Sequence, residues 1–152
     1  MDKIKVKIKK LHPDAIIPKY QTEGSAGFDL HSIEDIDFMF RKFSTTGQKV
    51  RTGLAFEIPE GYELQIRPRS GLSVNSNIRI SNSPGTIDSD YVNEVCIIVD
   101  LILNNTVLTD TKINKGDRIA QAVLCPVFRA EFEEVETLKE TTRNGGFGST
   151  GV

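Results

Sequence analysis

A chain of 152 residues with 19 basic and 21 acidic side chains and a formal net charge of −2 is sized for one domain, which buries roughly 70% of its unfolded surface and folds without disulfide or metal staples. The near balance of charge removes any global electrostatic case for binding duplex nucleic acid or an anionic membrane, so an anion site has to be local. No segment approaches the ~20 apolar residues of a membrane span, and Cys96 and Cys125 stand alone in apolar runs, which reads as two buried free thiols in a reducing, cytoplasmic setting.

The elements, in chain order, are mostly short strands. Ile4, Val6 and Ile8 alternate with Lys3, Lys5, Lys7 and Lys9, the pattern of a half-buried strand whose solvated lysine face resists pairing with other chains. A-G-F-D-L follows at Ala26 to Leu30. Between residues 33 and 43 the pattern is ambiguous. Ile33, Ile36, Phe40 and Phe43 have helical spacing, whereas Ile36, Phe38 and Phe40 alternate. A strand is expected there, because the helix would expose Phe38 and a lone helix fits poorly among many strands. Leu54, Phe56 and Ile58 alternate before a turn at Pro59-Glu60-Gly61, and Tyr62, Leu64 and Ile66 alternate after it.

P-R-S-G-L at Pro68 to Leu72 has two readings: a strand end followed by an S-G turn, or backbone N–H groups left approachable by Gly71 beside a hydroxyl and a guanidinium, which is anion-binding chemistry. N-S-P-G-T-I-D-S-D-Y at Asn82 to Tyr91 is rich in turn formers and carries two carboxylates, Asp88 and Asp90. Tyr91 serves either as core packing with a satisfied hydroxyl or as a flat surface for a ligand. Glu94 to Leu103, apolar and β-branched, is expected to be a central strand, and Asn104-Asn105 to turn into Thr106 to Ile113. A further turn at Asn114 to Asp117 opens the run Arg118 to Phe128, which includes the end of G-D-R-I-A-Q (Gly116 to Gln121). Phe132, Val135 and Leu138 are as ambiguous between helix and strand as residues 33–43, and R-N-G-G-F-G-S-T-G (Arg143 to Gly151) holds too little apolar surface to fix itself. Turns about every ten residues without βαβ alternation predict an all-β sandwich or jelly roll. No cluster has metal-ligand spacing, and His12 and His31 read as surface or structural residues.

The five motifs, in this order from Ala26 to the end of the chain, resemble the five signature motifs of the trimeric deoxyuridine triphosphatases (dUTPases). The resemblance implies an all-β, jelly-roll-like β-barrel over residues 1–140 and a flexible C-terminal lid over residues 141–152. It also implies a homotrimer with shared active sites, converting dUTP to dUMP and pyrophosphate with Mg2+ held by substrate phosphates and water. That activity limits uracil in DNA and supplies dUMP for dTMP synthesis. Asp88 resembles the family's catalytic aspartate, which positions water for attack at the α-phosphorus; Asp90 is its rival. By the same resemblance Arg69, Ser70, Gly71 and Gln121 contact the phosphates. Asp29 supports that site by orienting an arginine or the metal's waters. Tyr91 excludes a ribose 2′-hydroxyl, and Asn82, Thr86, Ile87 and Cys96 fall on uracil-reading positions, the cysteine through its main chain. In the tail, Phe147 stacks on the base while Arg143, Ser149 and Thr150 reach the γ-phosphate.

Two departures from the family pattern bear on this. Asn93 stands where the family has glycine, at a point where the hairpin turns beside the base, and asparagine tolerates positive φ better than other side chains. Three residues separate Arg143 from Phe147, one fewer than usual, which bears on the reach of Arg143. The related rivals are a dCTP deaminase or bifunctional deaminase and dUTPase of the same fold; a non-catalytic nucleotide-sensing or partner-binding module is the rival of another class. P-G-T-I-D-S-D-Y and the G-F-G-S-T-G tail favour the dUTPase.

Overall fold

The structure, a computed structural model, describes residues 3–38, 47–102, 112–142 and 145. Alternation dictates most of it. Strand β1 (Lys7–Lys10) runs antiparallel to β5 (Leu54–Glu57), with Lys7 opposite Glu57 and their side chains 2.6 Å apart at the surface. The lysine face is exposed, and Val6 and Ile8 pack against the core. The pairing continues past β1 as the Leu11 N–H donates to the Gly53 carbonyl at 2.7 Å. Gly53 holds φ +67°, and a Cβ there would sit 2.9 Å from that of Ala15, so both the backbone conformation and the close approach require glycine.

Two larger antiparallel sheets hold the rest. One has the order β2 (Phe28–His31), β11 (Arg118–Pro126), β6 (Tyr62–Arg67), β8 (Gly85–Ile87). The other is β4 (Gln48–Arg51), β9 (Cys96–Leu101), β7 (Ile78–Ile80), with β9 in the middle as its sequence predicts. Short β3 (Ile36–Asp37) pairs with β10 (Lys112–Ile113). Successive side chains on a strand point to opposite faces, so Leu30, Leu64, Ile66, Ala120 and Ala122 from the first sheet meet Val50, Ile78, Ile97, Val99 and Leu101 from the second in one buried cluster. Leu64 is fully buried, and replacing such a side chain by alanine costs about 2–5 kcal/mol. This two-sheet all-β architecture agrees with the expected jelly-roll-like fold.

Three details differ from expectation or refine it. The ambiguous stretch keeps Phe38 buried, as a strand requires, but pairs only at Ile36–Asp37; Phe40 and Phe43 lie outside the described residues. The S-G turn gives way to a helix, α1 (Ser70–Asn75), whose bonds run from the Ser73 N–H to the Arg69 carbonyl at 3.0 Å and from the Ser76 N–H to the Leu72 carbonyl at 3.1 Å. Cys96 and Cys125 are free, but half-buried rather than buried: Cys96 alternates with the fully packed Ile97, and Cys125 follows Leu124, itself only partly buried against the core. Beyond β11, residues 127–142 have no regular structure, and Phe128 and Phe132 are 92% and 94% exposed. Among the described residues, no helix is long and apolar enough to cross a membrane.

Candidate active site

Sheet order brings together four segments that are far apart in sequence. β11 lies between β2 and β6, so Gln121 is opposite Asp29 on one side and Arg67 on the other; β8 adds Thr86 opposite Gln65. Directly opposed residues share a face, and here it is the face turned away from Leu30, Leu64 and Ala122. The motifs containing Asp29, Arg69, Thr86 and Gln121 thus meet on one sheet. The fifth motif is largely outside the described residues, and so are Arg143, Phe147, Ser149 and Thr150.

At the β2–β11 end the side chains are locked. Asp29 is 9% exposed and accepts a hydrogen bond from Arg69 Nε at 2.6 Å, while Arg118 Nη1 lies 3.4 Å from its other oxygen. Arg69 Nη1 also donates to the Arg118 carbonyl at 3.3 Å. Asp29 thus holds the guanidiniums of Arg69 and Arg118 beside each other. Gln121 Nε2 donates to the Pro68 carbonyl at 2.8 Å, pinning the backbone that leads into Ser70; a primary amide has two N–H donors, so one remains. Arg69, Gly71, Lys112, Asp117 and Arg118 border a cleft of about 300 Å3 in which cations outnumber carboxylates. Lys112 is paired with Asp37 at 2.9 Å.

One residue at this end, Arg118, escaped the sequence reading, and His31 was expected only as a surface or structural residue. Arg118 is in the same motif as Gln121, three residues before it, and that proximity was its available signal. His31 faces the same side of β2 as Asp29, and its Nδ1 is buried with no hydrogen-bond partner among the described residues. Burial holds its pKa below the ordinary histidine value; the Asp29 carboxylate opposes that shift, and the guanidiniums of Arg118 and Arg69 reinforce it.

Asp88 is elsewhere. It follows Ile87, which faces Leu64, and so stands abreast of Glu63. Arg67 is four residue steps along β6 from Glu63, about 13 Å at the ~3.3 Å rise of a strand, and Arg69 and Ser70 lie farther on. Within one chain Asp88 and the Arg69–Gln121 group are thus at opposite ends of β6. Asp88 and Asp90, both exposed, border an open cleft of about 720 Å3 with Glu60, Glu63 and Arg129.

Tyr91 closes a turn, its N–H donating to the Asp88 carbonyl at 3.1 Å and its hydroxyl to the Glu94 carbonyl at 2.9 Å. At 39% exposed it is not a core residue, so the packing reading fails. Asn82, Thr86 and Asn93 are exposed and Ile87 is half-buried. Gly85 lies under Asn82, where a Cβ would come within 3.2 Å of the asparagine Nδ2 and 3.3 Å of Ile66 Cβ. Cys96 opens β9 opposite Arg51; burial first, then the Glu94 carboxylate, pushes its thiol pKa up, so the sulfur stays protonated. Among the described residues, no group of three or more His, Cys, Asp or Glu side chains converges on a metal position.

Comparison with known proteins places this arrangement. A family model described as dUTPase matches residues 13–151. A Helicobacter pylori protein named deoxyuridine 5'-triphosphate nucleotidohydrolase is 51% identical over 150 residues, covering 98% of each chain. A Nautilia profundicola protein of the same name is 53% identical over 149 residues, covering 97% of this chain and 99% of the relative. Among solved structures, a Staphylococcus bacteriophage 80alpha dUTPase with dUpNHpp superposes with a TM-score of 0.77 at 26% identity, covering 97% of this chain and 99% of that one. The chain therefore belongs to the dUTPase family and is an enzyme that hydrolyses dUTP.

Proposed function

We propose that dUTP is cleaved to dUMP and pyrophosphate by water attack at the α-phosphorus, in a site assembled between chains of a homotrimer. The separation of Asp88 from the Arg69–Gln121 group along β6 carries this reading. A site containing both a phosphate grip and a water-aiming carboxylate needs the Asp88 end of one copy against the Arg69 end of another. Exposure of Phe128 and Phe132 beyond β11 supports self-association, since large apolar side chains are seldom left this bare together.

In this arrangement Arg69, already aligned by Asp29, would neutralise charge developing on the phosphoryl oxygens. Ser70 and Gly71 are in the first turn of α1, where backbone N–H groups have no intrahelical acceptor, and the remaining Gln121 N–H is available to the α-phosphate. Asp88, exposed and acceptor-only when ionised, would orient the water and take its proton. Tyr91 would lie under the deoxyribose, with Asn82, Thr86, Ile87 and the Cys96 main chain around the base. The donor set suits magnesium carried by the substrate phosphates and its own waters, as magnesium usually is; when bound it supplies charge neutralisation. Residues 141–152 would close as a lid, bringing Phe147, Ser149, Thr150 and Arg143 to the nucleotide. Half-buried thiols and a near-balanced net charge of −2 accord with a cytoplasmic enzyme that acts on a free nucleotide.

Subunit complementation tests the shared site. Asp88→Asn and Ser70→Ala proteins, each inactive alone, are unfolded together and reassembled. Random mixing in a closed ring leaves about one quarter of the sites with both groups intact, so activity should return to roughly that fraction. A mixture as inactive as its components would mean that each site is built within one chain.

A further inference from the structure

We infer that Arg51 and Glu94 are a positioning pair that sets how strictly the enzyme excludes a ribose 2′-hydroxyl; this rests on the proposed place of Tyr91 beneath the sugar. Arg51 ends β4. Its Nε is 3.2 Å from both Glu94 carboxylate oxygens and its Nη2 is 3.1 Å from one of them, a bidentate grip. The Gly53 N–H donates to Oε1 of the same carboxylate at 2.9 Å. The Glu94 side chain is 20% exposed, so these bonds are partly shielded from water. On the other side of Glu94, the Val95 N–H donates to the Leu54 carbonyl at 2.8 Å, and the Thr52 hydroxyl donates to the Val95 carbonyl at 2.6 Å. Glu94 is thereby stitched to residues 51–54 through its side chain and through the next peptide.

The consequence falls on Tyr91. Its hydroxyl donates to the Glu94 carbonyl at 2.9 Å, and the ring is too exposed for packing alone to hold it. The ring is therefore located by its hydroxyl at Glu94 and by its backbone at Asp88. A ring that shifts by a fraction of an ångström leaves room for an extra hydroxyl, and a selectivity filter loses discrimination before it loses binding. Glu94 and Arg51 touch neither sugar nor phosphate in this scheme. They act through Tyr91.

The test is the ratio of kcat/KM for dUTP to that for UTP, measured on full-length protein with melting temperatures taken in parallel. Tyr91→Ala should collapse the ratio. Glu94→Gln, which keeps an acceptor for Gly53 but loses the charge, and Arg51→Met should each lower it about tenfold, the size of losing one hydrogen bond to a charged group. Arg51→Lys keeps charge without the bidentate grip and should recover part of the ratio. Combining Tyr91→Phe with Glu94→Gln should add little to either alone, because both remove one anchor. If Tyr91→Ala leaves the ratio intact, the sugar reading falls and this inference with it. If Tyr91→Ala collapses the ratio while Glu94→Gln and Arg51→Met slow both substrates equally, the pair is only a structural brace and the inference alone is overturned.

Discussion

The two ends of β6 are built differently. At the Arg67 end, Asp29, Arg69 and Arg118 form one hydrogen-bonded set and Gln121 separately holds the Pro68 carbonyl, and the Asp29 carboxylate is almost out of water. At the Glu63 end, Asp88 and Asp90 are exposed beside an open cleft, and the hydrogen bonds of that loop are to its own backbone and to Glu94. Preorganisation is worth most where charge must be met by fixed donors, since a donor already aligned costs no reorganisation when charge develops. A carboxylate that handles water needs a wet approach. The contrast teaches that, in the proposed scheme, one chain would finish its phosphate grip alone and leave the water-aiming half to be completed by another copy.

The sharpest way to break this comparison is at the open end. Asp88→Asn should slow kcat by at least ~10²-fold, as losing a general base does, with the melting temperature and binding of a non-hydrolysable dUTP analogue nearly unchanged, because that side chain is exposed and makes no hydrogen bond or ion pair among the described residues. Near-normal turnover would move the role to Asp90. Oxygen-18 from solvent should appear in dUMP; label in pyrophosphate would put the attack at the β-phosphorus.

Truncating the chain ahead of the fifth motif comes next. A chain ending after Glu140 should still bind dUMP and keep its oligomeric state but hydrolyse dUTP on the order of tenfold to a hundredfold more slowly, the yield of a stacked ring and a few charge-assisted hydrogen bonds. Unchanged kcat/KM in that protein would remove the lid from the scheme.

The closed end should answer in stability as well as in rate. Asp29→Asn leaves Arg69 and Arg118 facing each other without a carboxylate. Urea unfolding should show a loss of about 2 kcal/mol, below the ~3–5 kcal/mol of a fully buried pair because Arg118 is half in water, together with a raised KM for dUTP. A variant with wild-type stability and KM would mean that the ion pair is idle.

The smallest effect is a pH dependence at His31. Its folded pKa lies below the ordinary 6.5, chiefly through burial, so just under that pH the unfolded chain binds more protons than the folded one. Stability from this group is complete above pH 6.5 and is lost as pH falls from there through the lower folded value. His31→Phe should flatten the fall in melting temperature over that interval; an identical slope in both proteins would assign it to other groups.

Sequence alternation made the strands legible because an apolar side chain on every second residue has one way to face a core, and Leu54, Phe56, Leu64 and Ile66 obey it. Helix α1 was not legible, since six residues are too few for a 3.6-residue period to declare itself. The cysteines show the complementary error: an apolar run suggests burial, but on a strand only alternate members turn inward. The motif residues named their chemistry without their geometry. Nothing local says that Asp29 will lie beside Gln121, which follows from β11 inserting between β2 and β6, or that Asp88 will be carried away from Ser70, which follows from the register of β8 against β6. Arg51 and Glu94 were invisible for a like reason, being 43 residues apart in sequence and brought together only where the chain around β4 and β5 packs beside the start of β9.

Strand β11 has a final implication for how the family can vary. Its nine residues hold Arg118 and Gln121 at one end, and at the other end Val127 bonds to the Gly61 carbonyl and borders the Asp88 cleft. Substitutions along it change one side chain at a time. A single inserted or deleted codon between Gln121 and Pro126 would turn every following residue to the opposite face and move the departing chain by ~3.3 Å. Lineages can therefore drift in the composition of this strand, but its length should be nearly frozen, and insertions should accumulate in turns instead.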